Sequence, residues 1–187
     1  LAIDKEAIIK QLLAGIPKLV ATFPGANVSA IGGDPTLKPY PYDRQEARRL
    51  IKEGGWEGYE FKLMSYDRSG CPEYGQVTEA LAGYWQAIGL KPKIQISEWA
   101  VWRRALNDRK TQNTVHGLEN ATNRDISSIF SKLEDRYDFA SPWSMTNIPE
   151  LNDRYNRIRK SMDVAEISKL MVEICRYAYD HYLMIPI

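Results

Sequence analysis

The stretch between residues 59 and 97 constrains the fold most, because the apolar periodicity changes twice within it. Residues 73–88 place Val77, Ala80, Leu81, Tyr84, Trp85 and Ile88 at i, i+3, i+4, i+7, i+8 and i+11, the stripe of an amphipathic helix with one buried face. Before it, residues 59–66 alternate, with Tyr59, Phe61, Leu63 and Ser65 set against Glu60, Lys62 and Met64. That period of two reads as a strand. After the helix, Gly89 supplies a stop, and residues 91–97 put Ile94 and Ile96 on one face of a second strand. Strands separated by a helix imply an α/β layer architecture with a parallel or mixed sheet flanked by helices.

The flanking sequence extends this pattern. Residues 3–13 carry a helical stripe (Ile8, Ile9, Leu12, Leu13) with Asp4 as N-cap and Gly15 and Pro17 beyond its end. Residues 16–42 hold five prolines and several glycines, a density that predicts no regular element of any length. They form either a linker or a segment laid along one domain. Asp43 with Glu46 has capping-box spacing, which would satisfy two orphan amides of a helix whose buried stripe is Ala47, Leu50 and Ile51. Gly54-Gly55 ends that helix, and Trp56 is expected to close the core beside the strand. A short helix over 98–106, a third strand over 112–118 and a polar loop over 119–124 follow. Further helices are expected at 125–133, 149–162 and 163–182. The last buries Ile167, Leu170, Met171, Ile174 and Ala178 behind Asp163 as N-cap and Glu166 at the capping-box position. The chain ends in Met184-Ile185-Pro186-Ile187, an apolar run resembling an interrupted strand.

Composition narrows the function classes. At 187 residues a single α/β domain spanning 1–187 can bury a sizeable core without staples. Twenty-five Lys and Arg against twenty-four Asp and Glu give a formal charge of +1, so nucleic acid is not an expected partner. No apolar run reaches the roughly 20 residues of a bilayer span. Cys71 and Cys175 form no Cys-x-x-Cys pair; two ordinary cysteines or one long-range disulfide fit them. The N-terminus carries neither a signal peptide nor an initiator Met, which suggests a piece of something longer. No phosphate loop, dinucleotide fingerprint, nucleophile elbow or zinc motif is present, and His116 and His181 stand in unrelated segments. No catalytic residue, metal or cofactor is therefore expected.

The aromatic content draws attention to one position. Among five Trp and eleven Tyr, Trp99 stands at a strand-to-helix junction directly after Ile94-Gln95-Ile96-Ser97-Glu98. Ligands of α/β sheets bind outside the carboxyl ends of strands. Trp99 is there either a lid on the core or a stacking platform. The polar loop from Glu119 to Asp125 follows the third strand in an equivalent place.

The ordered motifs resemble those of the oligopeptide-, dipeptide- and nickel-binding family of solute-binding proteins that serve ABC importers, called family 5. Ala2-Ile3-Asp4-Lys5 resembles the family's helix start. Tyr42-Asp43 through Leu50-Ile51, with Gly54-Gly55-Trp56 and Gly58, is similar to its Tyr-Asp-Pro…Gly-Tyr/Trp segment. Trp85-Gln86-Ala87-Ile88-Gly89-Leu90, then Ile94 and Glu98-Trp99, matches its helix, turn, strand and Glu-Trp pattern. Asn147, Pro149, Glu150 and Leu151 resemble its Asn-Pro-Glu-Leu-Asp, and Ile185-Pro186-Ile187 its return strand.

The resemblance implies the C-terminal lobe of a two-lobe periplasmic-binding-protein-like molecule, closing by a hinge on a peptide or similar small solute. It implies ABC permease subunits and an N-terminal lobe as partners, and a periplasmic or extracytoplasmic location at the membrane. Where the family often has Gly-Trp-x-x-Asp-x-x-Asp-Pro, this chain reads Gly117-Leu118-Glu119-Asn120-Ala121-Thr122-Asn123-Arg124-Asp125-Ile126. Thr122 then replaces the Asp that pairs with a peptide amine, and Glu119 replaces the Trp. A hydroxyl cannot supply a full charge-assisted bond to an ammonium. The expected ligand-binding residues are Trp99, His116, Glu119, Asn120, Thr122 and Asp125. The alternatives are a small α/β hydrolase-type enzyme using Glu119, Asp125 and His116, and an interaction or sensor domain on the same lobe.

Overall fold

The computed structural model describes residues 1–22, 33–67, 69–70, 72–116, 133–144 and 147–186, with His116 placed by its backbone. Of the helix expected over 125–133 only Leu133 is described, and the loop over 119–124 and Cys71 lie outside the described residues. The chain divides into two compact units, one of Leu1–Lys18 with Tyr40–Glu119 and one of Leu19–Pro39 with Asn120–Ile187.

The first unit is α/β. It runs α1 (Lys5–Leu12), α2 (Arg44–Glu53), β1 (Glu60–Asp67), α3 (Tyr74–Gln86), β2 (Lys91–Glu98), α4 (Trp99–Asn107) and β3 (Thr114–His116). Asp4 caps α1 by accepting from the Ala7 amide at 2.9 Å. Gly15, at φ 72°, sits in the left-handed region that favours glycine just past the helix end. Asp43 caps α2 by accepting from the Glu46 amide at 2.9 Å. The reciprocal half of the capping box is not made. The Asp43 amide donates instead to the Leu1 carbonyl at 3.0 Å, and the Glu46 carboxylate pairs with Arg49. The expected α2 stripe is also narrower: Ala47 is buried, Ile51 half-buried and Leu50 exposed.

The sheet order is β2-β1-β3, and all pairings among the described strands are parallel. β1 and β2 pair in parallel because α3 carries the chain from the end of β1 back to the start of β2. β1 is central, which explains why its alternation fails. Leu63, Met64, Ser65 and Tyr66 are all buried, since Ser65 meets Thr78 of α3 (2.8 Å between hydroxyls) while neighbouring Tyr66 meets Trp102 of α4. Successive strand side chains point to opposite faces, so a strand covered on both sides is buried at both parities. The α3 stripe is rotated relative to the expected one: Thr78, Ala82 and Trp85 are its buried residues. Trp56 does not close the core. It is 50% exposed, with its edge against Tyr59 at 5.0 Å.

The regular elements described in the second unit are helices. Residues 133–137 are helical, followed by α5 (Pro149–Lys160) and α6 (Val164–Asp180). Pro149 opens α5, where a missing amide proton costs nothing. Asp163 caps α6 by accepting from the Ala165 amide at 2.8 Å. Glu166 serves a different partner from the expected one, accepting from the Ser161 hydroxyl at 2.7 Å. Ile167, Leu170, Met171, Ile174 and Ala178 pack with Leu133, Tyr137, Leu151, Tyr155 and Ile158 into one cluster. Leu183 and Met184 lie against that cluster. Cys175 is fully buried on α6. The segment around Asp34 is fastened to α6: Arg176 pairs with the buried Asp34 carboxylate, and one turn on the Tyr179 hydroxyl donates to the Lys38 carbonyl at 2.8 Å. Among the described residues no helix is long and apolar enough to cross a membrane.

Candidate functional site

Parallel pairing brings the carboxyl ends of β1 and β2 to one edge. The register sets Tyr66 beside Ser97 and Asp67 beside Glu98, with β3 joining at Met64 beside His116. Two exposed acidic side chains therefore end adjacent strands, and Trp99 begins α4 one residue later.

Trp99 proves to be half-buried, because rings from two elements support it. Trp102, one turn along α4, stacks on it with centroids 5.0 Å apart and planes 21° from parallel. Tyr66 of β1 meets it edge-on at 4.7 Å and 71°. Tyr66 also lies 4.6 Å from Trp102 and is stacked on Tyr74, the first residue of α3, at 4.6 Å. Tyr66 and Trp102 are completely buried. Such ring pairs prefer offset-stacked and edge-on geometries of this kind. Trp99 is thus at once a lid on the core and an accessible aromatic surface beside two carboxylates, an arrangement suited to a planar, apolar or cationic group.

Of the other expected site residues, His116 is the last residue of β3, paired through its backbone with Met64 of β1. Glu119, Asn120, Thr122 and Asp125 lie outside the described residues. Sequence reasoning missed Tyr66, Tyr74, Asp67 and Glu98 as members of the same edge. Aligning the two strands in parallel by their shared pattern of eight residues ending in an acid would have found Tyr66, Asp67 and Glu98.

The groups with shifted proton affinities lie elsewhere, and burial or local bonding accounts for them. Burial lowers the pKa of Lys5, whose ammonium lies 5.4 Å from the centre of the Tyr40 ring. Hydrogen bonds from Thr36, with Arg176 beside it, hold the Asp34 carboxyl below the usual range. Burial, helped by the nearby Glu134 charge, pushes the Tyr155 phenol up to about 12. Among the described residues no group of three or more His, Cys, Asp or Glu could hold a metal ion.

Residues 1–135 match the bacterial extracellular solute-binding proteins, family 5 Middle, a stretch that contains all the described strands. The chain belongs to family 5. The dipeptide-binding protein of Escherichia coli (strain K12) is 29% identical to it over 143 residues, 71% of this chain and 25% of that relative. Its fold is that of periplasmic binding proteins. HbpA2 from Haemophilus parasuis superposes with a TM-score of 0.79 at 19% identity, covering 99% of this chain and 37% of its own. DppA from Helicobacter pylori, an ABC transporter-associated periplasmic binding protein in complex with the peptide STSA, gives 0.76 at 19% identity, covering 99% and 36%. The chain spans about a quarter or less of the length of the curated family 5 relatives it matches.

Proposed function

We propose that this chain is the C-terminal ligand-binding lobe of a solute-binding protein that captures a peptide or similar small solute outside the cytoplasmic membrane and delivers it to an ABC permease. Membership of family 5 across the residues that build the sheet is the observation that carries this reading. The aromatic and acidic edge at the strand ends supports it. Family membership also favours capture over the hydrolase-type alternative and over an enzymatic role. In this reading residues 1–187 act as one lobe and an N-terminal lobe supplies the facing wall. Trp99, His116, Glu119, Asn120, Thr122 and Asp125 line this wall, with Trp99 as the stacking surface.

Thr122 in place of an amine-pairing Asp directs the expectation toward solutes whose cationic group is met elsewhere, with Glu119 as the candidate partner. Calorimetric titration of the full-length protein and of the 187-residue chain with Ala-Phe-Ala tests the reading. A binding pocket buries roughly 70–90% of a small ligand, so one wall alone loses about half of the contacts. Binding by the full-length protein and about a thousandfold weaker binding by this chain is expected, each tenfold step being about 1.4 kcal/mol. Equal affinity in both would place the whole site within this chain and remove the two-wall reading. No affinity of the full-length protein for Ala-Phe-Ala, Ala-Ala-Ala or any co-purifying solute detected by mass spectrometry would remove capture itself.

A further inference from the structure

The geometry points to Tyr66 as the residue that positions Trp99 for ligand, a role that rests on the solute-binding reading of this edge. Trp102 and Tyr66 both lie against Trp99, and they do different work. Trp102 sits on the same helix three residues on, so the two indoles move together when α4 moves. Their stack sets the tilt of Trp99 against its own helix but not against the sheet. Tyr66 belongs to β1, the central strand, and its ring meets Trp99 nearly at right angles, 4.7 Å away. An edge-on contact opposes sliding along the stack, the one motion that a parallel pair of rings leaves open.

Tyr66 is itself immobilised. Its ring is completely buried, stacked on Tyr74 at 4.6 Å and 24°, and 4.6 Å from Trp102. Three elements, β1, α3 and α4, thus meet in one ring. The accessible part of Trp99 is held in a fixed relation to the Asp67 and Glu98 strand ends before any ligand arrives. Pre-ordering a contact surface removes the ordering cost from binding, and the gain goes to ligands whose own group matches that surface. Tyr66 therefore determines preference for a flat side chain without touching it.

The test reads Trp99 directly. The chain is labelled with 5-fluorotryptophan, and the Trp99 resonance is assigned by its loss in Trp99→Phe. In Tyr66→Leu the Trp99 resonance should shift and narrow toward its solvent-averaged position, whereas Tyr66→Phe, which keeps the ring, should leave it in place. Trp85, which packs on Phe61 at 5.4 Å, serves as the internal control and should not move in either variant. If Tyr66→Leu does not fold, Tyr74→Leu removes the ring behind Tyr66 at a half-buried position and should move the same resonance less. A Trp99 resonance unchanged by the loss of either ring overturns the proposal, as does an equal response to Tyr66→Phe.

Titration of the full-length protein, labelled and assigned in the same way, with Ala-Phe-Ala and Ala-Ala-Ala reads the consequence on the Trp99 resonance. The wild-type preference for the aromatic tripeptide should fall by about three- to tenfold in the leucine variant, the scale of one aromatic pair. Preference retained in that variant overturns the specificity role. Absence of any response to either tripeptide in the wild type, with the resonance still displaced by Tyr66→Leu, keeps Tyr66 as the anchor of the ring and rejects the peptide reading of the site.

Discussion

The two units treat their large side chains differently. In the helical unit the α6 face is saturated: Leu170, Met171, Ile174 and Ala178 are at most 2% exposed, and charged groups stand outside in pairs such as Arg154–Glu173 at 3.1 Å. In the sheet unit burial is incomplete at both ends of the strands. Trp99 is half-buried at one end, Trp56 and Tyr59 are exposed at the other, and Ile94 and Ile96 on the edge strand β2 are more than 40% exposed. A helix pair satisfies its backbone within itself and needs only side-chain packing to be finished. A three-stranded parallel sheet leaves strand ends and an edge that something else must meet. Among the described residues the unfinished surface therefore lies in the sheet unit, while the described helices of the second unit close around their own core.

Four measurements sharpen or break that contrast. The largest effects belong to finished cores. Trp102→Ala should cost about 3–5 kcal/mol in denaturant unfolding, and Ile174→Ala about 2–5 kcal/mol. Trp99→Ala should cost clearly less than Trp102→Ala, below about 3 kcal/mol, because only part of its ring is buried. Equal losses at Trp99 and Trp102 would make Trp99 a core residue and erase the difference at the strand ends.

A smaller effect of opposite sign is expected at Lys5. Its ammonium is buried with no hydrogen-bond acceptor among the described residues, only the Tyr40 ring. Lys5→Met should stabilise the chain by about 0.5–2 kcal/mol at neutral pH. The pH dependence has a definite sign. The pKa of Lys5 is lowered in the folded state, so the unfolded chain holds the proton more tightly and the wild type gains stability as pH rises toward the ordinary lysine range. The advantage of the methionine variant should shrink over that interval.

Asp34 has the reverse sign. Its carboxyl is held below the ordinary range by Thr36 and Arg176, so it contributes stability above that range and loses it as pH falls through the folded-state value. Arg176→Gln should flatten this acid limb, seen by circular dichroism from neutral pH downward. The smallest change is expected for Arg154→Gln, which removes a partly exposed pair worth at most about 1 kcal/mol. A loss comparable to Ile174→Ala would mean that the helical unit depends on its surface pairs as much as on its core.

Local signals were read from the chain wherever one element carries its own instructions. Asp4, Asp43 and Asp163 cap the helices they were expected to cap, since a side-chain oxygen needs only the next turn of backbone. The α6 face was legible except for the buried Cys175, because its apolar spacing and its burial share one period. The reciprocal halves of the Asp43 and Asp163 boxes were not legible, since Leu1, Arg49 and Ser161 compete for the same groups through folding.

What the sequence by itself determined is the alternation of strands and helices, the helix starts and the place of Trp99 after a strand. These follow from periodicity and from groups a few residues apart. Tertiary structure alone decided that the described strands are parallel, that β1 is central and therefore buried at both parities, and that Tyr66 stands against Trp99 across 33 residues of chain. Those outcomes depend on which surface covers a face or an edge, a choice made by packing between distant segments that no local period encodes.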